Sequence, residues 1–325
     1  MEPLILIPST STQAASAETP SPKAFFGTAT SAYQVEGMAN QDGRGPSIWD
    51  VFIKKPGIVA NNGTGDIAVD QYHRYKKEEM MLGRSFDANS ATNFKRLKIP
   101  MWSWQNGAGK VNWKGVAYYN RLINYLLEKG ITPYANLYHY DLPEALEKKY
   151  NGLLSEKVVK SRREGLEFSW ILFGMNLLQD QRQTTMQRKE QEIFMLDDVK
   201  HGVPIGPRAN SYWLYNVPWG MYKALMYIKE HYKNPTVILS ENGMDDPGNV
   251  TLRQGLHDTT RINFYKGYLT QLKKAADDGA NVVGYFAWSL LDNFEWRLGY
   301  TARFGIVYVD YTNLKRYPKM SALLV

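Results

Sequence analysis

The alternation of helical and strand patterns predicts an α/β fold built on a parallel sheet. A helical segment is followed by a strand at residues 112–143, the same order occurs at residues 211–243, and it occurs again at residues 261–296. Helices that alternate with strands are typical of βα units, in which each helix connects two parallel strands. The chain has 325 residues, enough for one large domain or two smaller ones.

The ordered pattern begins after a leader, residues 1–23, whose Ser, Thr, Ala and Pro content is typical of flexible chain. Residues 25–37 (FFGTATSAYQVEG) are expected to form a buried strand that opens into a loop, and residues 48–52 (IWDVF) a short helix. Residues 70–83 are expected to be helical, whereas residues 84–109 sustain neither the helical nor the strand period.

The remaining elements lie on either side of an irregular segment. Residues 112–130 have the apolar spacing of an amphipathic helix that ends at Gly130, and residues 131–143 and 143–152 are expected to be a strand and a short helix. Residues 153–203 contain one apolar block but no alternation of strands and helices. The later elements are expected to be a helix at 211–234, a strand ending in TVILSENG at 236–243, a helix at 261–279 and a strand at 281–296.

Composition and charge exclude several classes of function. The net charge is +7, but the basic residues are dispersed and no zinc-finger or RNP-like pattern is present, so nucleic acid is not an expected partner. The chain has no Cys, which excludes disulfides and thiolate metal sites. The apolar core of the leader, Leu4 to Ile7, is far too short to span a membrane and gives no clear address for a cell compartment. Aromatic residues make up 13% of the chain, which suits either a large core or a pocket that stacks sugar rings.

Polar side chains that a packed core does not need stand at the ends of four predicted strands. The carboxyl ends of parallel strands meet at one end of a barrel, where such folds place their sites. These side chains are therefore expected to converge. They are Gln34 and Glu36 in SAYQVEG, His139 and Asp141 in LYHYDLP, Glu241 and Asn242 in ILSENG, and Trp288, Asp292, Asn293, Glu295 and Trp296 in AWSLLDNFEW.

The segments AFFGTATSAYQVEG, NLYHYDLP, VILSENGM and GYFAWSLLDNFEW together resemble the family 1 glycoside hydrolases, the plant β-glucosidases in particular. The combination is specific, although the ENG tripeptide alone would carry little weight. The resemblance covers roughly residues 24–88, 111–153 and 203–322, about two thirds of the chain. It implies a single (β/α)₈ TIM-barrel domain over residues 24–325, with an atypical segment at 153–203.

The resemblance also implies retaining hydrolysis of terminal β-D-glucosyl residues, with a small-molecule β-glucoside as substrate and no metal or organic cofactor. In such enzymes one carboxylate attacks the anomeric carbon and a second, about 5–5.5 Å away, protonates the leaving group. Glu241 matches the nucleophile, and Ser240 replaces the more usual threonine but keeps its hydroxyl. The positions that match sugar-binding residues are Gln34, His139, Trp288, Glu295, Trp296 and Phe304.

Each of these residues also has a structural interpretation. Gln34 could fix a loop, His139 could be a structural histidine, and Glu241 or Glu295 could be solvated carboxylates. Trp288 and Trp296 could be core residues. In the functional interpretation, Gln34, His139 and Glu295 hydrogen-bond sugar hydroxyls, and the two tryptophans offer apolar ring faces.

The second carboxylate is missing from the sequence. The family's acid/base lies in a Thr-Phe-Asn-Glu-Pro segment at the end of the fourth strand, and the only Glu-Pro of this chain is Glu2-Pro3 in the leader. Residues 153–203 are too few to supply three βα units of about 30 residues each. The fourth to sixth βα units, and a tyrosine that contacts the nucleophile in relatives, are therefore expected to be missing or replaced.

The second strand shows another departure from the family. The arginine that pairs with the nucleophile in relatives is matched by Ser90, and Arg96 and Lys95 are alternative cations near it. A buried glutamate without a cationic partner has a raised pKa, which disfavours the nucleophilic carboxylate. Three interpretations follow from these losses. The chain could be an active β-glucosidase with another group in place of the acid, an inactive homologue that binds sugar or a partner, or a relic without a stable fold.

Overall fold

Five parallel strands form the central sheet of the protein. The structure, a computed structural model, describes residues 24–76, 96–100, 112–136, 139–155, 199–200 and 203–324. The strands of the central sheet are β1 (Phe25–Ala29), β2 (Arg96–Pro100), β3 (Thr132–Asn136), β6 (Val237–Asn242) and β8 (Val282–Trp288). Their order across the sheet is β3-β2-β1-β8-β6.

The described residues also form short antiparallel pairs: β4 (Val199–Lys200) with β5 (Val203–Pro204), β7 (Asp246–Pro247) with β9 (Ala302–Arg303), and β10 (Val307–Val309) with β11 (Arg316–Pro318). The described helices span Ala32–Val35, Ile48–Phe52, 71–76, Trp113–Glu128, Glu144–Tyr150, Pro218–His231, Leu252–Leu256, Thr259–Asp277 and Met320–Leu324. In the described part of the chain, none of them is both long and apolar enough to cross a membrane.

The sheet is strongly curved. Strands β3 and β6 stand at the two ends of the strand order, so at about 4.8 Å per strand a flat sheet would separate them by roughly 19 Å. His139, three residues after β3, nevertheless has its Nε2 atom 3.6 Å from Oε2 of Glu241 in β6. Only a sheet that curls towards closure, as in the wall of a barrel, brings these two strand ends together.

The helices that pack on the sheet have a capping residue, a terminating glycine or an apolar face in their sequences. The side chain of Asn112 accepts a hydrogen bond from the backbone N–H of Gly115 (3.4 Å) and so caps helix Trp113–Glu128. Gly130 follows this helix with a φ of 74°, a left-handed conformation that glycine adopts without strain. The apolar face of this helix joins the main core, together with that of helix Thr259–Asp277. The buried side chains are Tyr118, Tyr119, Leu122, Leu126, Phe264, Tyr265, Tyr268, Leu272 and Ala275.

The C-terminal part is tied to the sheet by buried charges around Asp292. Oδ2 of Asp292 accepts from Nη1 of Arg303 (2.8 Å), and Oδ1 accepts from Nζ of Lys319 (2.8 Å) and the backbone N–H of Gly305 (3.0 Å). Asp292, Arg303 and Lys319 are all buried, and burial lowers the pKa of Lys319 to about 8. Asp292, one of the polar strand-end residues, thus has a structural role here.

The predicted α/β class is confirmed, and the structure refines the bounds of several elements. The strand expected at 281–296 ends at Trp288, because the chain turns there and Leu290 donates its backbone N–H to Ala29 on the neighbouring strand. Of the strand expected at 131–143, the structure describes Thr132–Asn136, and residues 139–143 are not part of a strand. The leader (residues 1–23), which was expected to be flexible, and most of the atypical segment 153–203 lie outside the described residues, as do Ser90 and Lys95.

Candidate active site

The segments that follow the central strands bring four of the predicted residues to one end of the sheet. Gln34 comes after β1, His139 after β3, Glu241 lies near the end of β6, and Glu295 follows β8. Contacts within hydrogen-bonding or ion-pair distance join Gln34 to Glu295 and His139 to Glu241. The convergence that the sequence predicted for these residues is therefore present.

Gln34 is fully buried and uses one side of its amide to fix the loop after β8. Its Nε2 donates to Oδ1 of Asn293 (3.0 Å), the carbonyl of Phe294 (2.9 Å) and Oε2 of Glu295 (3.1 Å). Its Oε1 has no hydrogen-bond partner among the described residues. Buried polar atoms are nearly always paired, so an acceptor without a partner is unusual at this end of the sheet.

Glu295 is a buried acid with a raised pKa. Burial is the largest cause and the negative charge of Asp245 the next, and together with Glu241 they raise the pKa to about 8. Hydrogen bonds from Gln34 and Trp288 act in the opposite direction by favouring the carboxylate. At neutral pH, Glu295 is therefore mainly protonated and can both donate and accept a hydrogen bond.

A β-bulge sets the position of Glu241. The register between β6 and β8 pairs Leu239 with Tyr285 and Asn242 with Ala287, so β6 carries one residue more than β8 between these pairs. A bulge of this kind bends the strand and redirects a side chain. The side chain of Glu241 is 41% exposed, so the burial assumed in the sequence-based argument about its pKa was wrong.

Gly243 explains part of the ENG motif. A Cβ atom at this position would lie 1.8 Å from the carbonyl oxygen of Trp288 on β8, which is an impossible contact. Only glycine allows the end of β6 to approach β8 so closely. Next to it, Oδ1 of Asn242 accepts a hydrogen bond from the hydroxyl of Tyr285 (2.7 Å). These contacts hold the backbone that follows Glu241 against β8.

His139 is fixed at both its backbone and its ring. The backbone N–H donates to Oδ1 of Asp141 (3.0 Å), and Nδ1 lies 2.9 Å from Oγ of Ser31. The ring is nearly buried and lies near two indoles, with centroid distances of 5.6 Å to Trp288 and 5.7 Å to Trp296. The remaining ring nitrogen, Nε2, is the atom that faces Glu241.

Trp296 belongs to an aromatic group that the sequence did not reveal. Its indole is stacked parallel to the ring of Tyr33 (centroids 6.1 Å apart, 4° between planes) and lies 4.6 Å from the ring of Trp49. Trp296 is partly exposed, whereas Tyr33 is buried. Tyr33 is next to the candidate residue Gln34 in sequence. Trp49 joins the group only because the loop between β1 and residues 48–52 returns to it, which the sequence does not indicate.

Phe304 and Glu36 occupy positions that differ from those of the other candidates. Phe304 is buried in a small apolar cluster with Phe286 and Trp288, where it supports Trp288. Glu36 accepts hydrogen bonds from the hydroxyl of Tyr119 at both carboxyl oxygens (3.0 and 3.1 Å), and burial raises its pKa to about 8. No described group of His, Asp and Glu side chains could hold a metal ion.

Comparison with known proteins identifies the family. The family model described as Glycosyl hydrolase family 1 matches residues 18–177 and 169–324. The chain belongs to glycosyl hydrolase family 1. It is 45% identical to Beta-glucosidase 44 of Arabidopsis thaliana, over 93% of this chain and 89% of that protein, and 42% identical to Beta-glucosidase 1 of Oryza sativa subsp. japonica, over 91% and 86%.

Solved structures of family 1 β-glucosidases share the fold. The rice Os3BGlu6 β-glucosidase superposes with a TM-score of 0.76 at 29% identity, over 93% of this chain and 96% of that one. A β-glucosidase of the fungus Humicola insolens, in complex with glucose, superposes with a TM-score of 0.75 at 26% identity, over 94% and 97%. The TIM-barrel fold that the resemblance implied is thereby confirmed.

The comparisons also bear on the length of the chain. The alignment with the Arabidopsis protein extends over 463 positions, more than the 325 residues of this chain, so part of that relative has no counterpart here. The two matches to the family model meet at residues 169–177, inside the atypical segment 153–203. The loss of particular βα units stays a prediction, because residues 156–198 are outside the described part.

Proposed function

We propose that this family 1 glycoside hydrolase cleaves β-glucosides by nucleophilic attack of Glu241, and that it is restricted to substrates whose leaving group departs without a proton. The observation that carries the proposal is the accessible Glu241 carboxylate, held by a β-bulge beside His139, at the end of the sheet where Gln34 and Glu295 also meet.

Formation of the glucosyl-enzyme intermediate needs one carboxylate, the nucleophile. An oxygen of Glu241 attacks the anomeric carbon, the bond to the leaving oxygen breaks with its electron pair, and a glucosyl ester of Glu241 forms. Water then hydrolyses the ester. General acid catalysis contributes about 10²–10⁴ in rate, and most for poor leaving groups such as sugars. A dinitrophenolate leaves without protonation by a general acid. The absence of an Asn-Glu-Pro segment should therefore reduce the rate least for dinitrophenyl glucosides.

The glucose unit has partners of the right chemistry. The Oε1 atom of Gln34 is an acceptor without a partner among the described residues, and Glu295 can donate from its protonated carboxyl. The partly exposed indole of Trp296 offers an apolar face to a sugar ring. Among relatives, a mutant of the rice Os3BGlu6 enzyme has been solved in a covalent complex with glucose, which supports a β-glucoside as the substrate.

The first test is the intact mass of the purified protein after incubation with 2,4-dinitrophenyl 2-deoxy-2-fluoro-β-glucoside. We expect a gain of one fluoroglucosyl unit in the wild type and none in Glu241→Gln. The fluorine slows hydrolysis of the ester, so the intermediate accumulates. A folded wild-type protein without the gain would contradict the proposal, and a gain that persists in Glu241→Gln would assign the attack to another residue.

A second candidate function is sugar binding without turnover. It is favoured by the same unpaired Gln34 oxygen together with the lack of an Asn-Glu-Pro acid. Calorimetry with gluconolactone, combined with the mass measurement, distinguishes sugar binding from hydrolysis. Saturable binding by a protein that forms no covalent adduct would support the binding function, whereas binding together with the mass gain supports the hydrolase.

A further inference from the structure

A line of three side chains leads from the buried end of β1 to Glu241. Oγ of Ser31 lies 2.9 Å from Nδ1 of His139, and Nε2 on the other side of the ring lies 3.6 Å from Oε2 of Glu241. Ser31 is fully buried and His139 is 8% exposed, so water has little access to the first contact. The second contact is longer than a hydrogen bond but within ion-pair distance.

The hydroxyl of Ser31 is not used for helix capping. Ser31 occupies the N-cap position of helix Ala32–Val35, where a serine side chain usually accepts a hydrogen bond from the backbone of the first turn. No such bond is present. Helix capping therefore does not explain the serine at this position. The Ser31 hydroxyl is directed to His139 instead.

We propose that Ser31 is a positioning residue that holds His139 with a proton on Nε2, so that this N–H faces and orients the Glu241 carboxylate. This inference rests on the proposed function for the role of Glu241. A bare Nε2 would set a lone pair against the lone pairs of Oε2, which is repulsive. A protonated Nε2 is attractive, whether the ring is neutral or an imidazolium.

The Ser31 hydroxyl is suited to this task because it can donate to a bare Nδ1, which leaves the proton of the neutral ring on Nε2. His139 consequently has a function besides the sugar contact that the family resemblance implies. It supplies a directed donor to a carboxylate whose side chain is 41% exposed.

The position of the proton can be observed without catalysis. Long-range ¹H–¹⁵N spectra of selectively labelled histidine distinguish a protonated from a bare ring nitrogen, and the chain has only five histidines. His139→Gln identifies the signal by its loss. We expect a proton on Nε2 of His139 in the wild type, and a mixture of tautomers in Ser31→Ala. A wild-type ring with its only proton on Nδ1 would overturn the inference, whatever the activity.

Kinetics of labelling by the dinitrophenyl fluoroglucoside test the consequence for Glu241. We expect Ser31→Ala to lower the limiting rate of labelling about tenfold while the half-saturating concentration changes less than twofold. Ser31→Thr, which keeps a hydroxyl, should recover most of the rate. Ser321→Ala is the matched control, because it removes an equally buried hydroxyl that bonds to Asp258, away from this line of residues.

Thermal unfolding shows whether each variant is folded before its kinetics are compared. An unchanged limiting rate in folded Ser31→Ala, or an equal loss in Ser321→Ala, would overturn the positioning role. If the wild type is not labelled at all, the proposed function fails, and the histidine spectra alone then decide whether Ser31 holds the Nε2 proton towards Glu241.

Discussion

The amide of Gln34 lies 3.1 Å (Nε2) from Oε2 of Glu295, and this hydrogen bond joins the segment after β1 to the segment after β8. The two residues are 261 positions apart in the chain. The same Nε2 atom also holds the loop at Asn293 and Phe294, so a single buried side chain both shapes the loop and positions the acid that would contact the sugar.

Replacement of Gln34 by Ala should reduce both stability and sugar binding. The substitution leaves the buried acceptors of Asn293 and Phe294 without their donor, at a cost of about 1–3 kcal/mol in the free energy of unfolding. Urea unfolding measures this cost, and calorimetry with gluconolactone measures the affinity. Unchanged values for both quantities would show that the Gln34 amide holds neither the loop nor a ligand.

Stability should fall as pH rises from weakly acidic to alkaline. The pKa values of Glu36 and Glu295 are about 8 in the folded protein, against a usual 4.5. Between these values the folded state keeps protons that the unfolded state has released. The stabilisation from these protons is therefore complete below pH 4.5 and is lost as the pH rises through 8.

Denaturant unfolding at pH 5 and at pH 8.5 checks this expectation, with the greater stability expected at pH 5. Glu36→Gln serves as the comparison, because an amide fills the same volume and accepts from Tyr119 but does not titrate. This variant should show a smaller difference between the two pH values. An equal pH dependence in the two proteins would exclude Glu36 as a source of the effect.

Gly243→Ala should abolish labelling of Glu241. The added methyl group would meet the carbonyl oxygen of Trp288 at 1.8 Å, so the end of β6 must move away from β8 and take Glu241 with it. Gly220→Ala is the matched control. Gly220 lies in helix Pro218–His231 with no atom within 4 Å of the added Cβ, so alanine there should be neutral or stabilise by about 0.5–1 kcal/mol. Labelling that survives in Gly243→Ala would contradict this account of the ENG motif.

Asp292→Asn should be one of the most destabilising single substitutions in the described part of the chain. It leaves the buried cations of Arg303 and Lys319 without their charge partner, at a cost of about 3–5 kcal/mol. Guanidinium unfolding gives the value. Asp277→Asn removes a carboxylate from an exposed pair with Lys273 and should change stability little. Similar effects of the two variants would mean that the buried cations keep their hydration or find other partners.

The sequence predicted the elements whose pattern is local. The helix that ends at Gly130 and the strand that carries Glu241 both follow from side-chain period and glycine geometry, which need no tertiary information. The resemblance supplied the barrel and the candidate residues. Their place at a strand end does not distinguish Glu36 from Glu295, and the resemblance assigned only Glu295 to the sugar site. The structure shows that Glu36 bonds to Tyr119, whereas Glu295 bonds to Gln34.

Other features could not be predicted because they depend on contacts between distant segments. The exposure of Glu241 is set by a bulge between β6 and β8, which no local pattern announces. Ser31 reads as an ordinary N-cap until its distance to His139 is known. The association of Trp49 with Trp296 likewise depends on how a long loop returns to the sheet.

The place of β6 in the strand order has a consequence for dynamics. Among the described residues, the strand that carries Glu241, β6, pairs with β8 alone. Amide protons of β6 should exchange with solvent faster than those of β1, which pairs with both β2 and β8. A glucosyl group attached to Glu241 would slow that exchange, so occupancy of the site could be followed through the backbone of one strand.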